Sequence, residues 1–290
     1  MEVIPDERIK ADVEHLKEWI SKEPHLPRVS DEQWLAEFLY HNKFSLEKAK
    51  RKLEAYYSLR TKYPEILRNR NPNAEEFSRL RRSLKLAFAH KPMRDGSVVF
   101  FFGVDPNGNP KDLDGTTFMK LVFMFGDLVL LRGEQGRRNL VAVVNYKNCT
   151  YQHLLKLMTV GAKIAEIFVG AYTERIKAIH CINVPSFALK PIEFMMKCFP
   201  SKLMQRMQIH TGSVSSATFS EHVDEDVLCS DFGGSGPPLA QLEQKTFEEM
   251  GKYRNWFQEQ NNICSDESLR RNKNSEIDKM RGSFRRLEVD

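Results

Sequence analysis

Few residues in this 290-residue chain have the types and spacing that covalent chemistry needs. Cys264 and Arg270 stand in the C-x5-R spacing with which a thiolate and a guanidinium flank a phosphate. The intervening Ser265-Asp266-Glu267-Ser268-Leu269 brings two acids and no glycine, so it repels the dianion it would have to cradle and reads as polar tail. His180 and His210 each sit in an apolar run without a neighbouring ligand triad, which predicts hydrogen-bonded core histidines. Gly233-Gly234-Ser235-Gly236 leads into Pro237-Pro238, not into a helix start that offers amides to phosphate, and reads as a turn. Asp224, Glu225 and Asp226 are adjacent, cannot all face one reacting centre, and read as a solvated loop. The phosphate loop GxxxxGK[ST], the dinucleotide turn GxGxxG, the nucleophile elbow GxSxG and the zinc motif HExxH are absent. No catalytic set, metal site or cofactor is therefore expected, and the chain is not read as an enzyme.

What the chain has instead is soft apolar material. Phe100, Phe101, Phe102, Phe118, Phe123, Phe125, Phe187, Phe194 and Phe199, with Met195 and Met196, exceed what a tightly specified core uses, and methionine adapts to irregular apolar ligands. The segment FALKPIEFMMKCFPSKLM, 187 to 204, is an apolar helix broken by Pro191 and Pro200. Such breaks isolate a helix as a movable lid.

The elements that must position these residues are legible from period and punctuation. In the first third, Ile9, Val13, Leu16 and Ile20 recur at helical spacing. Ser30 with Gln33 predicts a capping box before Trp34, Leu35, Phe38 and Leu39, and Ser45 a cap for a third helix that Pro64 ends. A fourth helix is expected over 74 to 90, with a boundary near the turn Lys91 to Gly96. Beyond it, β-rich runs at 97 to 104, 140 to 145, 176 to 184 and 207 to 211 alternate with helical segments near 116 to 131, 151 to 169 and 187 to 206. Crossovers of that length join parallel strands, so the fold class is α/β: an all-helical N-terminal subdomain, then a mainly parallel sheet. The polar stretch from about 258 to 282 reads as a surface extension or tail.

Composition narrows the function classes. Lys plus Arg number 44 against 39 Asp plus Glu, a net charge of +5, which suits weak attraction to an anionic membrane better than nucleic-acid binding. The first twenty residues are charged throughout and lack the apolar core of a secretory signal. The longest apolar stretch, Phe118 to Leu131, is interrupted by Lys120 and Asp127 and is shorter than the roughly 20 residues of a bilayer span. The 5 cysteines are odd in number without CxxC pairing, as for reduced thiols. A cytoplasmic protein, peripheral to membranes, is the expectation.

At this point three ordered motifs resemble the CRAL-TRIO (Sec14-like) lipid-binding family. DEQWLAEFLYHNKFSLEKAKRKLEAYYSLRTKYPEIL, 31 to 67, is similar to its N-terminal helical module; IKAIHCINVPSFALKPIEFMMKCFPSKLMQRMQIHTG, 176 to 212, to its strand, turn, gate helix and following strand; VLCSDFGG, 227 to 234, to its terminal Gly-Gly element. Cys229 and Asp231 stand where the family has Pro and Glu, and Cys198 where it has Pro. Lacking any added domain, the chain most resembles the tocopherol-transfer and retinaldehyde-binding members, and the closing RGSFRRLEVD resembles that of many arthropod ones.

The resemblance implies a helical domain over 1 to 92, a lipid-binding domain over 93 to 240 whose sheet floors a hydrophobic pocket under a gate helix, and a C-terminal helical or extended tail over 241 to 290. It implies a carrier for one small lipid of tocopherol, retinoid or carotenoid type, handed over at phosphoinositide-containing membranes, with no nucleic-acid partner. Phe187, Ile192, Phe194, Met195 and Phe199 are the pocket and gate candidates. Arg60, Arg175, Lys177, Lys202 and Arg206 match the positions that hold a phosphoinositide headgroup in tocopherol-transfer-like members. The alternative is a membrane-recruited adaptor that senses lipid without transporting it.

Overall fold

The computed structural model describes residues 6–133, 138–172, 175–210 and 219–271. Helices come first. The stripe Val13, Leu16 and Ile20 of α1 (Asp6–Lys22) packs against α2 (Glu32–His41) and α3 (Leu46–Lys62). The cap of α2 is Asp31, whose side chain accepts from Trp34 N at 3.0 Å, and not the expected Ser30, since the carboxylate one residue later reaches the N3 amide. Ser45 stands at the N-cap of α3 without a side-chain bond. Pro64, whose missing N–H costs nothing in a first turn, opens α4 (Pro64–Leu67).

The expected fourth helix over 74 to 90 is corrected. Only Glu75–Leu80 is helical (α5), and Leu84–Phe88 form strand β1. The whole run pairs antiparallel with β2 (Val98–Val104), from Leu84 opposite Val104 to Phe88 opposite Phe100. Cross-strand pairing overrides a helical pattern too short to stand alone. The sheet thus begins before the Lys91 to Gly96 turn.

Strands β3 (Leu140–Asn145), β4 (Ile176–Ile182) and β5 (Met207–Ile209) follow in parallel, giving the order β1-β2-β3-β4-β5. When parallel strands are added in one direction, right-handed crossovers put every connecting helix on the same face. That face carries α6 (Gly115–Leu131), α7 (Tyr151–Ala171) and α8 (Ser186–Met196). Phe100, Phe102, Leu140 and Val144 point toward this helical layer, while Val99, Phe101, Val141 and Val143 point to the other. On β4 the alternation is reset where the register shifts: Leu140 lies opposite Ile176 but Val141 opposite Ala178. Skipping Lys177 lets Ile176 and Ile179 share the helical face, leaving Ala178, His180 and Ile182 on the back.

The back face is covered by residues 219–232 and by α10 (Leu239–Lys252), which lies along β1. Its covering loop closes at Gly233, in the left-handed region at φ 94°, and at Gly234, where a Cβ would fall 2.0 Å from the Leu228 carbonyl oxygen. The glycine-rich piece is therefore a turn. Beside it, Asp226 pairs with Lys91, and Asp224 accepts from Arg94 N at 2.7 Å. After α11 (Arg254–Glu259) the described residues, to 271, are docked on the helical region: Ser265 N donates to Tyr57 O at 3.2 Å and Arg270 binds Glu54, Glu267 and Ser58. Those partners are why Arg270 forms no phosphate site with Cys264. The closing RGSFRRLEVD lies outside the described residues.

Candidate functional site

Between the sheet and α6–α7 lies a cavity of about 210 Å³. Phe100, Leu140, Ala142, Ile176, Ile179 and Met207 line it from the strands, Val122, Phe123, Phe125 and Val129 from α6, and Ile164 and Phe168 from α7. Phe199 and Leu203, from the connection after α8 and from α9 (Ser201–Met204), complete the wall. Pro200 sets the N-cap of α9, so both wall residues ride on the broken part of the helical run.

Tyr172 alone among the lining residues carries a polar side-chain atom, and that atom is committed elsewhere. Its hydroxyl lies 3.0 Å from Asp127 Oδ1 and 3.3 Å from Phe123 O. Asp127, fully buried in the middle of α6, also accepts from Tyr56 Oη at 2.9 Å, Arg70 Nη1 at 2.5 Å and Arg60 Nη2 at 3.3 Å. Burial pushes the Tyr172 and Tyr56 phenols well above their ordinary range, so both are neutral donors to the carboxylate. Burial works against the charge on Arg60, but Tyr56 and Asp127 outweigh it and raise its pKa. The network ties α3, Arg70, α6 and the end of α7 together behind the cavity and offers it no polar handle. Its visible signal in the sequence was an aspartate within the apolar second half of α6.

A family profile described as "CRAL/TRIO domain" matches residues 82–234, more than half of the chain. The chain belongs to the CRAL/TRIO family. A second profile, "Pinta-like, UBA domain", matches residues 5–77, the helical region before β1. Proteins named "Alpha-tocopherol transfer protein-like" from Homo sapiens and Pongo abelii are each 26% identical over 242 residues, covering 81% of this chain and 68% of theirs. The "Crystal structure of Sfh5" superposes with a TM-score of 0.53 at 14% identity, covering 83% of this chain and 92% of that one, a likeness of fold.

The gate candidates separate in this CRAL/TRIO domain. Phe199 lines the cavity, Ile192 is buried in the core, and Met195 packs over Gly161 of α7, its Cγ 3.7 Å from where a Cβ would stand. Phe187 and Phe194 face outward, 44% and 61% exposed, and do not reach the cavity. The cause is helical geometry: α8 buries Ala188 and Ile192, four apart, against α7 and turns the other phenylalanines away.

The basic candidates separate too. Arg206 donates to Ile176 O, which lies between Arg175 and Lys177 in the chain, and Lys202 lies four residues earlier in α9, so these four stand near the starts of β4 and β5 in sequence. Arg175 donates to Tyr40 O at 2.8 Å and stacks over the Tyr40 ring. Lys177 pairs with Asp95, and that hydrogen bond holds the Asp95 carboxyl down at about 2. Arg60 is corrected: it is 1% exposed, spent on Asp127 and Tyr56, and faces no solvent from which a headgroup would come.

No described helix is long and apolar enough to cross a membrane.

Proposed function

We propose that this protein binds one small apolar lipid in the cavity between α6, α7 and the sheet and releases it at membranes that carry phosphorylated anionic headgroups. The observation that carries the reading is the wall itself, apolar apart from a tyrosine whose hydroxyl Asp127 holds. Such a wall rewards hydrocarbon and leaves a charged ligand unsatisfied. The relatives' printed name, tocopherol transfer, supports a ligand of tocopherol, retinoid or carotenoid type.

At about 210 Å³ the cavity is smaller than the roughly 300–1,000 Å³ of ordinary ligand pockets. Loading therefore requires the wall to move, and Phe199 and Leu203 belong to its proline-broken part. The outward Phe187 and Phe194 give α8 an apolar face that a bilayer interface can take up while the wall opens. The bases Lys177, Lys202, Arg175 and Arg206 supply the attraction for headgroups.

The test is organic extraction of the purified protein and of Ala142→Trp, whose indole fills the cavity from β3, followed by mass spectrometry. One apolar lipid is expected with the wild type and little with the variant, at a stability cost of about 1–3 kcal/mol for overpacking. Equal lipid in both proteins would place the ligand elsewhere. An empty wild type that still binds phosphoinositide vesicles would favour the adaptor.

A further inference from the structure

His180 and His210 do not stand without a third ligand. On the back face of the sheet, away from the cavity, His222 from the covering segment joins them, and one ring nitrogen of each lies within 4.8 Å of the other two. We propose that His180, His210 and His222 form a binding site for a single divalent transition cation of the zinc type.

The donor set fits the chemistry. Imidazole suits zinc, copper and nickel, and three histidines with a fourth position left for water are an established zinc arrangement. At zinc–nitrogen distances of about 2.0–2.1 Å, tetrahedral ligand nitrogens lie about 3.3 Å apart. His180 Nδ1 and His210 Nε2 are already 3.1 Å apart. His222, half-buried on the covering segment, is the ligand that has to draw closer. Among the described residues no other side chain is seen to hydrogen-bond to the three rings.

The surroundings suit a cation held by neutral imidazoles. His180 is 2% exposed, so its ring sits in a largely apolar setting. Phe219 sets its ring edge-on against all three imidazoles at 5.2–5.5 Å between centroids and covers one side of the cluster. His210 and His222 are partly exposed and leave a way in.

The supports are rigid. His180 is on β4; the His210 N–H donates to Cys181 O at 2.8 Å at the end of β5; and the His222 N–H donates to Phe219 O at 2.9 Å. Two ligands from the sheet and one from its cover would let a bound cation staple residues 219–232 to the sheet, and binding to the folded state alone raises stability. The proposal does not depend on the lipid reading, because the cavity lies on the opposite face.

The experiment takes the untagged full chain, stripped with chelator, and titrates it with zinc chloride by calorimetry, then with cobalt(II) followed by visible absorption. One equivalent, a tetrahedral cobalt spectrum, and a zinc absorption edge fitted by nitrogen and oxygen scatterers alone are expected, with a rise in melting temperature. His222→Gln and His210→Gln, at the two less buried positions, should each weaken zinc by more than about 100-fold, beyond the 10–100-fold that loss of an outer-shell partner costs. His15→Gln, on exposed α1, should not. Circular dichroism and lipid content of the glutamine variants should match the wild type. Absence of stoichiometric binding, sulfur scatterers at the edge, or a folded His222→Gln chain that holds zinc as tightly as the wild type would each overturn the site.

Discussion

Tyr172 presents its ring to the cavity and its hydroxyl to Asp127, 3.0 Å away, so one residue forms apolar wall and closes the buried charge network. Arg60 and Arg70 lie on the far side of the same carboxylate, both about 1% exposed. Asp127→Ala therefore leaves two buried guanidiniums uncompensated, and the expected loss is about 3–5 kcal/mol, read as a lowered urea midpoint. Tyr172→Phe removes the hydroxyl that Asp127 and Phe123 O share and keeps the wall, for about 1 kcal/mol with lipid retained. An Asp127→Ala chain as stable as Tyr172→Phe would show that the network does not hold the helices to the wall.

The outward turn of Phe194 reverses what its place in a gate-like segment implied. A charge there should leave the cavity's affinity for lipid unchanged in solution and impair delivery. Burying one phenylalanine contributes about 1.5–3 kcal/mol, so Phe194→Glu should slow transfer between liposomes about tenfold or more. Loss of lipid binding without membranes would instead place Phe194 in the pocket.

Much of this arrangement was legible from period and punctuation. The four later strands, the three helices between them and the break at Pro200 follow from apolar runs and proline, because parallel strands buried on both faces need continuous hydrophobicity. β1 was not legible: Leu84–Phe88 becomes a strand only by pairing with β2, and nothing local distinguishes it from the end of a helix. Which gate residues meet the cavity was also hidden, since an apolar residue on both faces of α8 erases the stripe. His222 lies far from His180 in sequence, and only the sheet and its cover bring them together. Arg60 matched a family position by alignment, but its burial depends on Asp127, a contact made across 67 residues.

The remaining bases make a salt-dependent prediction. Lys202 is exposed and Lys177, also exposed, pairs with the surface Asp95, whereas Arg206 donates to the Ile176 carbonyl, so charge reversal at the two lysines tests headgroup attraction while leaving that backbone contact intact. Lys177→Glu with Lys202→Glu should lower binding to phosphoinositide vesicles by on the order of tenfold, at about 1 kcal/mol for each basic residue near the surface, and reduce its dependence on salt. Lipid extracted from the double variant should be unchanged. Undiminished vesicle binding would move the headgroup site away from the start of β4 and β5.

The docked segment after α11 supplies a pH dependence whose sign is set by Glu267. The hydrogen bond from Arg270, helped by Ser265, lowers its carboxyl to about 2 against an ordinary 4.5, in spite of some desolvation. A carboxylate depressed in the folded state stabilises docking fully above its unfolded pKa, and the contribution is lost as pH falls through the folded one. The window is therefore 4.5 down to about 2. Protection of the amides of residues 263–271, taken relative to intrinsic exchange at each pH, should stay high above that window and fall within it, as Arg270 loses Glu267 while keeping Ser58 at 2.7 Å. Glu267→Gln should exchange faster at neutral pH and show little further change on acidification, because the neutral amide has no proton to gain. If the variant retains the wild-type pH profile, Glu267 is not the titrating group.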